Sequence, residues 1–162
     1  MLLAIDCGNT NIVFAIYDGD EQRASWRISS DSRRSTDEYV VWLTQLMRLK
    51  SINVGEIDGV MIASVVPDIK PKLVGLAHRG FDLVPLCVDE SNVDLGIAIN
   101  IDRPEQAGAD RLVNAVAAAA WHNLPAIVVD FGTATTLDLI GPKGAYEGGI
   151  IAPGVNLSIE AL

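Results

Sequence analysis

No stretch of the sequence approaches the ~20 consecutive apolar residues that a membrane-spanning helix needs, so no helical span is expected. Cysteine is scarce. Cys7 and Cys87 stand alone, with no CxxC and no Cys/His cluster, which argues against a zinc site and against a disulfide framework. Positive charge is also in short supply: 12 Lys and Arg face 21 Asp and Glu, for a formal net charge of −9 and a pI near 4.5. The one dense basic spot is Arg33-Arg34, with Arg27 nearby, and it reads as a solvated loop. A nucleic-acid binder needs a basic face, so nucleic acid is not an expected partner. A Walker A sequence, a protein-kinase glycine loop and a GxGxxG are all missing, which weighs against those nucleotide folds. Met1–Asp6 has no basic lead, and its apolar run breaks at Asp6, so a signal peptide is not expected. These absences together predict a cytoplasmic protein without a membrane partner.

What is present is a globular composition, 49% hydrophobic and 20% charged over 162 residues. That length suits one domain or two small ones. Leu2–Ile5, Ile12–Tyr17 and Arg23–Ile28 read as three consecutive strands joined by the turns at Gly8 and Asp18-Gly19-Asp20. Ser35 and Glu38 form a capping box, and the helix behind them repeats Tyr39, Leu43 and Leu46, with Val40 and Met47 on neighbouring rows. Val60–Val65 reads as a buried strand, Pro67 opens a short helix to about His78, and Leu83–Val88 is another strand. Residues 89–106 read as irregular. A helix is expected from Gly108–Arg111 through Trp121, then strands at Ala126–Val129, Thr136–Ile140 and Ala145–Ile151. A last helix starts after Pro153-Gly154. This order predicts an α/β fold with a mixed sheet flanked by helices. His78 and His122 lie near helix ends and read as structural. Trp26, Trp42 and Trp121 read as core or interface residues.

One pattern occurs twice. Leu3–Thr10 and Val128–Thr135 each run through an apolar strand, an Asp, any residue, a Gly and then small polar residues. A second apolar strand and a glycine turn follow in both cases. The repeat predicts two domains of like topology, over residues 1–115 and 116–162. The chemistry of these turns suits phosphate. A glycine just past a strand lets the backbone come close to an anion, and neighbouring N–H groups can point at it. Thr10, Thr133 and Asn9 add polar donors. Asp6 and Asp130 would repel phosphate directly, so their plausible task is to hold a cation that bridges to it. Mg²⁺ suits one or two carboxylates plus waters and phosphates. Cys7, inside the first turn, reads as a small packing residue; it would be reactive only if its pKa were lowered.

Four motifs stand in order: Asp6-Cys7-Gly8-Asn9-Thr10, Gly108-Ala109-Asp110-Arg111, Asp130-Phe131-Gly132-Thr133-Ala134-Thr135 and Gly148–Gly154. The set resembles type III pantothenate kinases, of the actin/hexokinase/sugar-kinase superfamily, along the whole chain. The resemblance implies ribonuclease H-like, duplicated domains. It implies transfer of the γ-phosphoryl group of ATP to the primary hydroxyl of pantothenate, the first step of coenzyme A synthesis. It implies Mg²⁺, a monovalent cation (K⁺ or NH₄⁺) and a homodimer. By motif match Asp6, Cys7, Gly8, Asn9, Thr10, Asn11, Ile12 and Val13 would border ATP, with Thr133 a further ATP contact. Gly108, Ala109, Asp110 and Arg111 would line the pantothenate site. Asp110 would be the catalytic base, Asp130 the monovalent-cation ligand and Asp6 a candidate Mg²⁺ ligand. A carboxylate beside an alcohol can orient it and take its proton, and an Arg pairs well with a substrate carboxylate. In the bland alternatives Asp110 is a helix first-turn acid and Arg111 a surface residue. The family often has an aromatic residue seven positions before the motif glycine; here that position is Ile101. The chains of the family are longer than this one, so the resemblance implies that the second domain is incomplete here. Two other functions stay open: a kinase of the same fold acting on another small alcohol or carboxylate, and a non-catalytic regulatory relative.

Overall fold

The structure is a computed structural model and describes residues 1–89 and 93–162. It forms two compact units, Met1–Glu90 and Ser91–Leu162. The division differs from the expected one after residue 115. The helix over Ala109–Trp121 packs on the strands that follow it, so it belongs with the second sheet.

The first unit is a five-stranded sheet with two helices. Strands β1 (Leu2–Cys7), β2 (Asn11–Asp18) and β3 (Glu21–Ser29) form an antiparallel meander. Helix α1 (Thr36–Leu49) leads to β4 (Gly59–Ser64), and α2 (Lys70–Phe81) to the short β5 (Leu86–Cys87). β4 pairs parallel to β1 and β5 parallel to β4, giving the order β3-β2-β1-β4-β5. That mixed order is the ribonuclease H-like arrangement.

The residue pattern explains the layering. Alternate residues of a strand share a face. Leu3, Ile5 and Cys7 of β1 pair with Ile16, Phe14 and Ile12 of β2, and all six are buried. Tyr39, Leu43 and Met47 of α1, with Leu73 and Leu76 of α2, complete this core. Burying each such side chain contributes about 1.5–3 kcal/mol. Trp42 lies 5.3 Å from Phe14, ring to ring, and Trp26 packs against the same cluster. Ser35 caps α1 as expected: its Oγ accepts from the Glu38 N–H, and Glu38 accepts from the Ser35 N–H at 2.7 Å. Helix α2 starts later than expected, with Pro71 rather than Pro67 in its first turn.

The second unit opens with α3 (Ala109–Trp121), followed by the meander β6 (Ala126–Phe131), β7 (Ala134–Ile140) and β8 (Tyr146–Pro153) and by α4 (Val155–Ala161). Its sheet order β6-β7-β8 repeats the β1-β2-β3 meander. Helix α3 covers one face of the sheet. The opposite face leaves Ile127, Val129, Phe131 and Leu139 exposed. Trp121 is 80% exposed and so is not a core residue. The segment read as irregular carries one ordered pairing. Tyr146 N–H donates to the Ala98 carbonyl at 2.9 Å, and Asn100 N–H donates to the Tyr146 carbonyl at 2.8 Å. Residues 90–92 of that segment lie outside the described residues.

Candidate functional site

The two Asp-x-Gly turns occupy equivalent places in their units, each linking the first two strands of a meander. In the first, Cys7 pairs with Ile12, and the Gly8 N–H donates to the Asn11 carbonyl at 3.0 Å. The residue after β3 clamps the turn. Ser30 N–H donates to the Thr10 carbonyl at 3.0 Å, and Ser30 Oγ to the Gly8 carbonyl at 2.5 Å. In the second, Phe131 pairs with Thr135, and the Gly132 N–H donates to the Ala134 carbonyl at 3.0 Å. Gly154 N–H donates to the Thr133 carbonyl at 3.2 Å, so the start of α4 braces this turn as Ser30 braces the first.

The sheet pleat sorts the expected ATP-contact residues. Asp6, Asn9 and Thr10 are exposed, and Gly8, Asn11 and Val13 are partly exposed. Cys7 and Ile12 are buried, with side chains in the core, so only their backbone could meet a ligand. Burial pushes the Cys7 thiol up from its ordinary pKa, and the nearby Asp6 adds to this, against a smaller opposing effect from Ser64. Cys7 is therefore a packing residue and not a poised thiolate. In the second turn Asp130, Gly132 and Thr133 are all exposed.

The turn glycines share a further property. A Cβ on Gly8 would meet only the Asn11 carbonyl, at 3.5 Å. A Cβ on Gly132 would meet the Ala134 carbonyl at 3.5 Å and Asp130 Oδ1 at 4.0 Å. These are ordinary contacts, and neither glycine has a positive φ. Gly154 is different: a Cβ there would stand 2.5 Å from the Gly132 carbonyl oxygen. Internal packing thus requires glycine at 154 but not at 8 or 132.

Gly108–Arg111 forms the start of α3. Gly108 is the N-cap residue, and Asp110 sits half-buried in the first turn. Asp110 Oδ1 accepts the Arg111 backbone N–H at 2.8 Å. The Arg111 side chain is largely buried. Its Nε donates to Asp138 Oδ1 at 2.7 Å and its Nη2 to the same oxygen at 2.5 Å. Tyr146 Oη donates there too, at 2.9 Å, and the guanidinium lies 5.8 Å from the Tyr146 ring centre. Asp138 is fully buried, and its Oδ2 has no hydrogen-bond partner. Burial would lower the Arg111 pKa, but the bond and charge of Asp138 outweigh it and hold it raised. Burial, then the bond to Asp138, pushes Tyr146 up to about 12.

Asp138 and Tyr146 escaped the sequence reading. The available signal was an acid between Leu137 and Leu139 in an apolar strand, on the face that also carries the buried Ile140. Ile101 lies beside Gly148, where its Cγ2 would be 3.3 Å from an added Cβ. Among the described residues no group of three or more His, Cys, Asp or Glu side chains could by itself hold a metal ion, and no helix is long and apolar enough to cross a membrane.

Known proteins agree with this architecture. Two crystal structures share the fold: a Campylobacter jejuni protein described as a Baf family transcriptional activator (TM-score 0.52, 20% identity, 95% of this chain and 55% of that one) and the ethanolamine utilization protein EutJ of Carboxydothermus hydrogenoformans (TM-score 0.51, 18% identity, 94% and 51%). The type III pantothenate kinases of Rhodospirillum rubrum and Paramagnetospirillum magneticum are each 57% identical to this chain over all 162 residues. The chain spans 63% and 62% of their respective lengths. The family model for type III pantothenate kinase matches residues 2–162. The chain belongs to the type III pantothenate kinase family.

Proposed function

We propose that this chain is the N-terminal, larger part of an enzyme that phosphorylates pantothenate with ATP, giving 4'-phosphopantothenate for coenzyme A synthesis. The observation that carries the reading is the pair of glycines with no internal steric reason to be glycine. Gly8 and Gly132 each end a strand, and each leaves open the space a Cβ would fill. A ligand that approaches the backbone closely accounts for both, and a phosphate bordered by small polar residues such as Asn9, Thr10 and Thr133 is such a ligand.

On this reading Asp6–Val13 border the phosphates of ATP, Cys7 and Ile12 through backbone only, and Thr133 contacts ATP through its hydroxyl. Asp6 is the residue that would hold Mg²⁺, and Asp130 the one that would hold K⁺ or NH₄⁺; each ion supplies positive charge against the phosphate oxygens. Gly108–Arg111 line the pantothenate site. Asp110 orients the primary hydroxyl. As the oxygen–phosphorus bond to that hydroxyl forms and the bond from the γ-phosphorus to the β,γ-bridging oxygen breaks, the hydroxyl proton passes to the Asp110 carboxylate. Arg111 offers its outer N–H pair to the pantothenate carboxylate. The working protein is a cytoplasmic homodimer.

The test is phosphorylation of pantothenate with ATP, Mg²⁺ and K⁺, run beside Asp110→Asn. Loss of a general base costs about 10²–10⁴ in rate. The expected result is a fall of at least a hundredfold in kcat for the variant, and lower activity without K⁺. The chain itself is assayed, and also a form continued by the C-terminal remainder of the Rhodospirillum rubrum relative. Silence from both forms would refute the proposal.

A further inference from the structure

A buried ion pair is seldom a net source of stability, because desolvating both charges offsets their attraction. The pair Arg111–Asp138 therefore calls for another reason. Asp138 is 0% exposed, three donors converge on its Oδ1, and its Oδ2 is left without a partner. A packing role alone would be served better by an apolar residue. The geometry of the pair is informative. Asp138 takes the Nε and Nη2 side of the guanidinium through one oxygen. Arg carries five N–H donors in a planar fork. With two of them committed, the Nη1 end and the second Nη2 hydrogen remain, and these form the end-on fork that matches a carboxylate. The side chain of Arg111 keeps 13% of its surface exposed, and Nη1 is not among the buried side-chain atoms left without a partner. The ring of Tyr146 supports the guanidinium plane, and Gly149 makes room for the whole arrangement: a Cβ there would stand 2.5 Å from both Arg111 Nη2 and Asp138 Oδ1.

The pair also separates Arg111 from its neighbour. Asp110 is adjacent in sequence, yet the bond it accepts is from the Arg111 backbone and not from the guanidinium. An untethered Arg111 would be free to fold back on the Asp110 carboxylate. That would occupy both groups at once.

We propose that Asp138 is a positioning residue for the acceptor substrate: it holds Arg111 by its inner edge, aims the outer edge at the pantothenate carboxylate, and keeps the guanidinium off Asp110. The inference rests on the function proposed above. It is tested by steady-state kinetics of Asp138→Asn in the C-terminally continued protein, with KM measured separately for pantothenate and for ATP. The expected result is a rise of tenfold or more in KM for pantothenate with KM for ATP changed less than twofold. An unchanged KM for pantothenate in a folded Asp138→Asn protein overturns the inference. Arg111→Ala separates it from the reading beneath: if that variant also keeps its KM for pantothenate, the role of Arg111 itself is refuted and the inference goes with it. Should Asp138→Asn not fold, Arg111→Ala is assayed with millimolar guanidinium, which the Asp138 carboxylate would seat in the vacated place. Recovery of a low KM for pantothenate supports the inference, and no recovery overturns it.

Discussion

The glycines of this chain divide into two kinds, and alanine substitution should separate them. At Gly149 an added Cβ would stand 2.5 Å from Arg111 Nη2 and from Asp138 Oδ1, and would also press on the Leu137 carbonyl. Carbon in ordinary contact needs about 3.5–4.0 Å, so these atoms must part by about 1 Å. Gly149 pairs with Asp138 across β7 and β8, so the strand ladder cannot yield without shifting the pair itself. Overpacking of this kind costs about 1–3 kcal/mol. Loosening a buried charge-assisted bond adds about 1.5–3 kcal/mol. Because Asp138 is fully buried, solvent screening relieves little of that. Gly149→Ala should therefore cost about 3–5 kcal/mol. Gly8→Ala and Gly132→Ala meet only contacts of 3.5 Å or more and have no positive φ to strain. Their stability should stay within about 1 kcal/mol of the parent, since alanine also reduces the freedom of the unfolded chain. Their cost should instead appear as a KM for ATP raised tenfold or more. Urea unfolding gives the stabilities, and amide exchange localises the Gly149→Ala effect to β7 and β8. If Gly8→Ala or Gly132→Ala destabilised the fold as much as Gly149→Ala, the turn glycines would have an internal purpose and the ligand argument would collapse.

The two buried tyrosines should respond in opposite ways to loss of the hydroxyl. Tyr39 Oη is buried with no partner, so Tyr39→Phe is expected to leave stability unchanged or to raise it by up to about 1–3 kcal/mol, read from urea midpoints. Tyr146 Oη donates to a buried carboxylate, so Tyr146→Phe should lose about 1.5–3 kcal/mol in the same measurement. The Tyr146 pKa is raised to about 12 from 10.0, so its contribution is complete below pH 10 and lost as pH rises through about 12. Tyrosinate absorbance should show a late step near that pH which Tyr146→Phe removes; an unaltered titration curve in the variant would contradict the Asp138 bond.

Much of the first unit was legible because its signals are local. Leu3, Ile5, Ile12 and Phe14 alternate as a half-buried meander must, and Ser35 and Glu38 mark the start of α1 within a few residues. The start of α2 was misplaced because two prolines lie four apart, and only the later one falls in a helical first turn. The division after residue 115 failed to match the compact units for a different reason. Nothing in the alanine-rich run of α3 says which sheet its apolar face will meet; that is decided by packing on β6 and β7. Asp138 was hidden by the same limit. A strand read as apolar gives no hint that one acid on its buried face will find an Arg 27 residues earlier.

The repeat itself was plain in sequence, but the difference between its two copies was not. In the first turn four residues, Gly8 to Asn11, separate the paired Cys7 and Ile12; in the second only Gly132, Thr133 and Ala134 separate Phe131 and Thr135. The glycine N–H therefore reaches the carbonyl three residues on in the first turn and two residues on in the second. The longer loop carries Asn9, Thr10 and Asn11; Ser30 ties down its Gly8 and Thr10 carbonyls, and Asn9 and Thr10 are exposed. The tighter turn has room for one polar side chain, Thr133, directly after its glycine. Two copies of one motif with unequal loops are thus suited to unequal tasks. On the function proposed above, the first would offer several polar side chains to the phosphate oxygens, and the second a single hydroxyl beside the exposed Asp130 carboxylate.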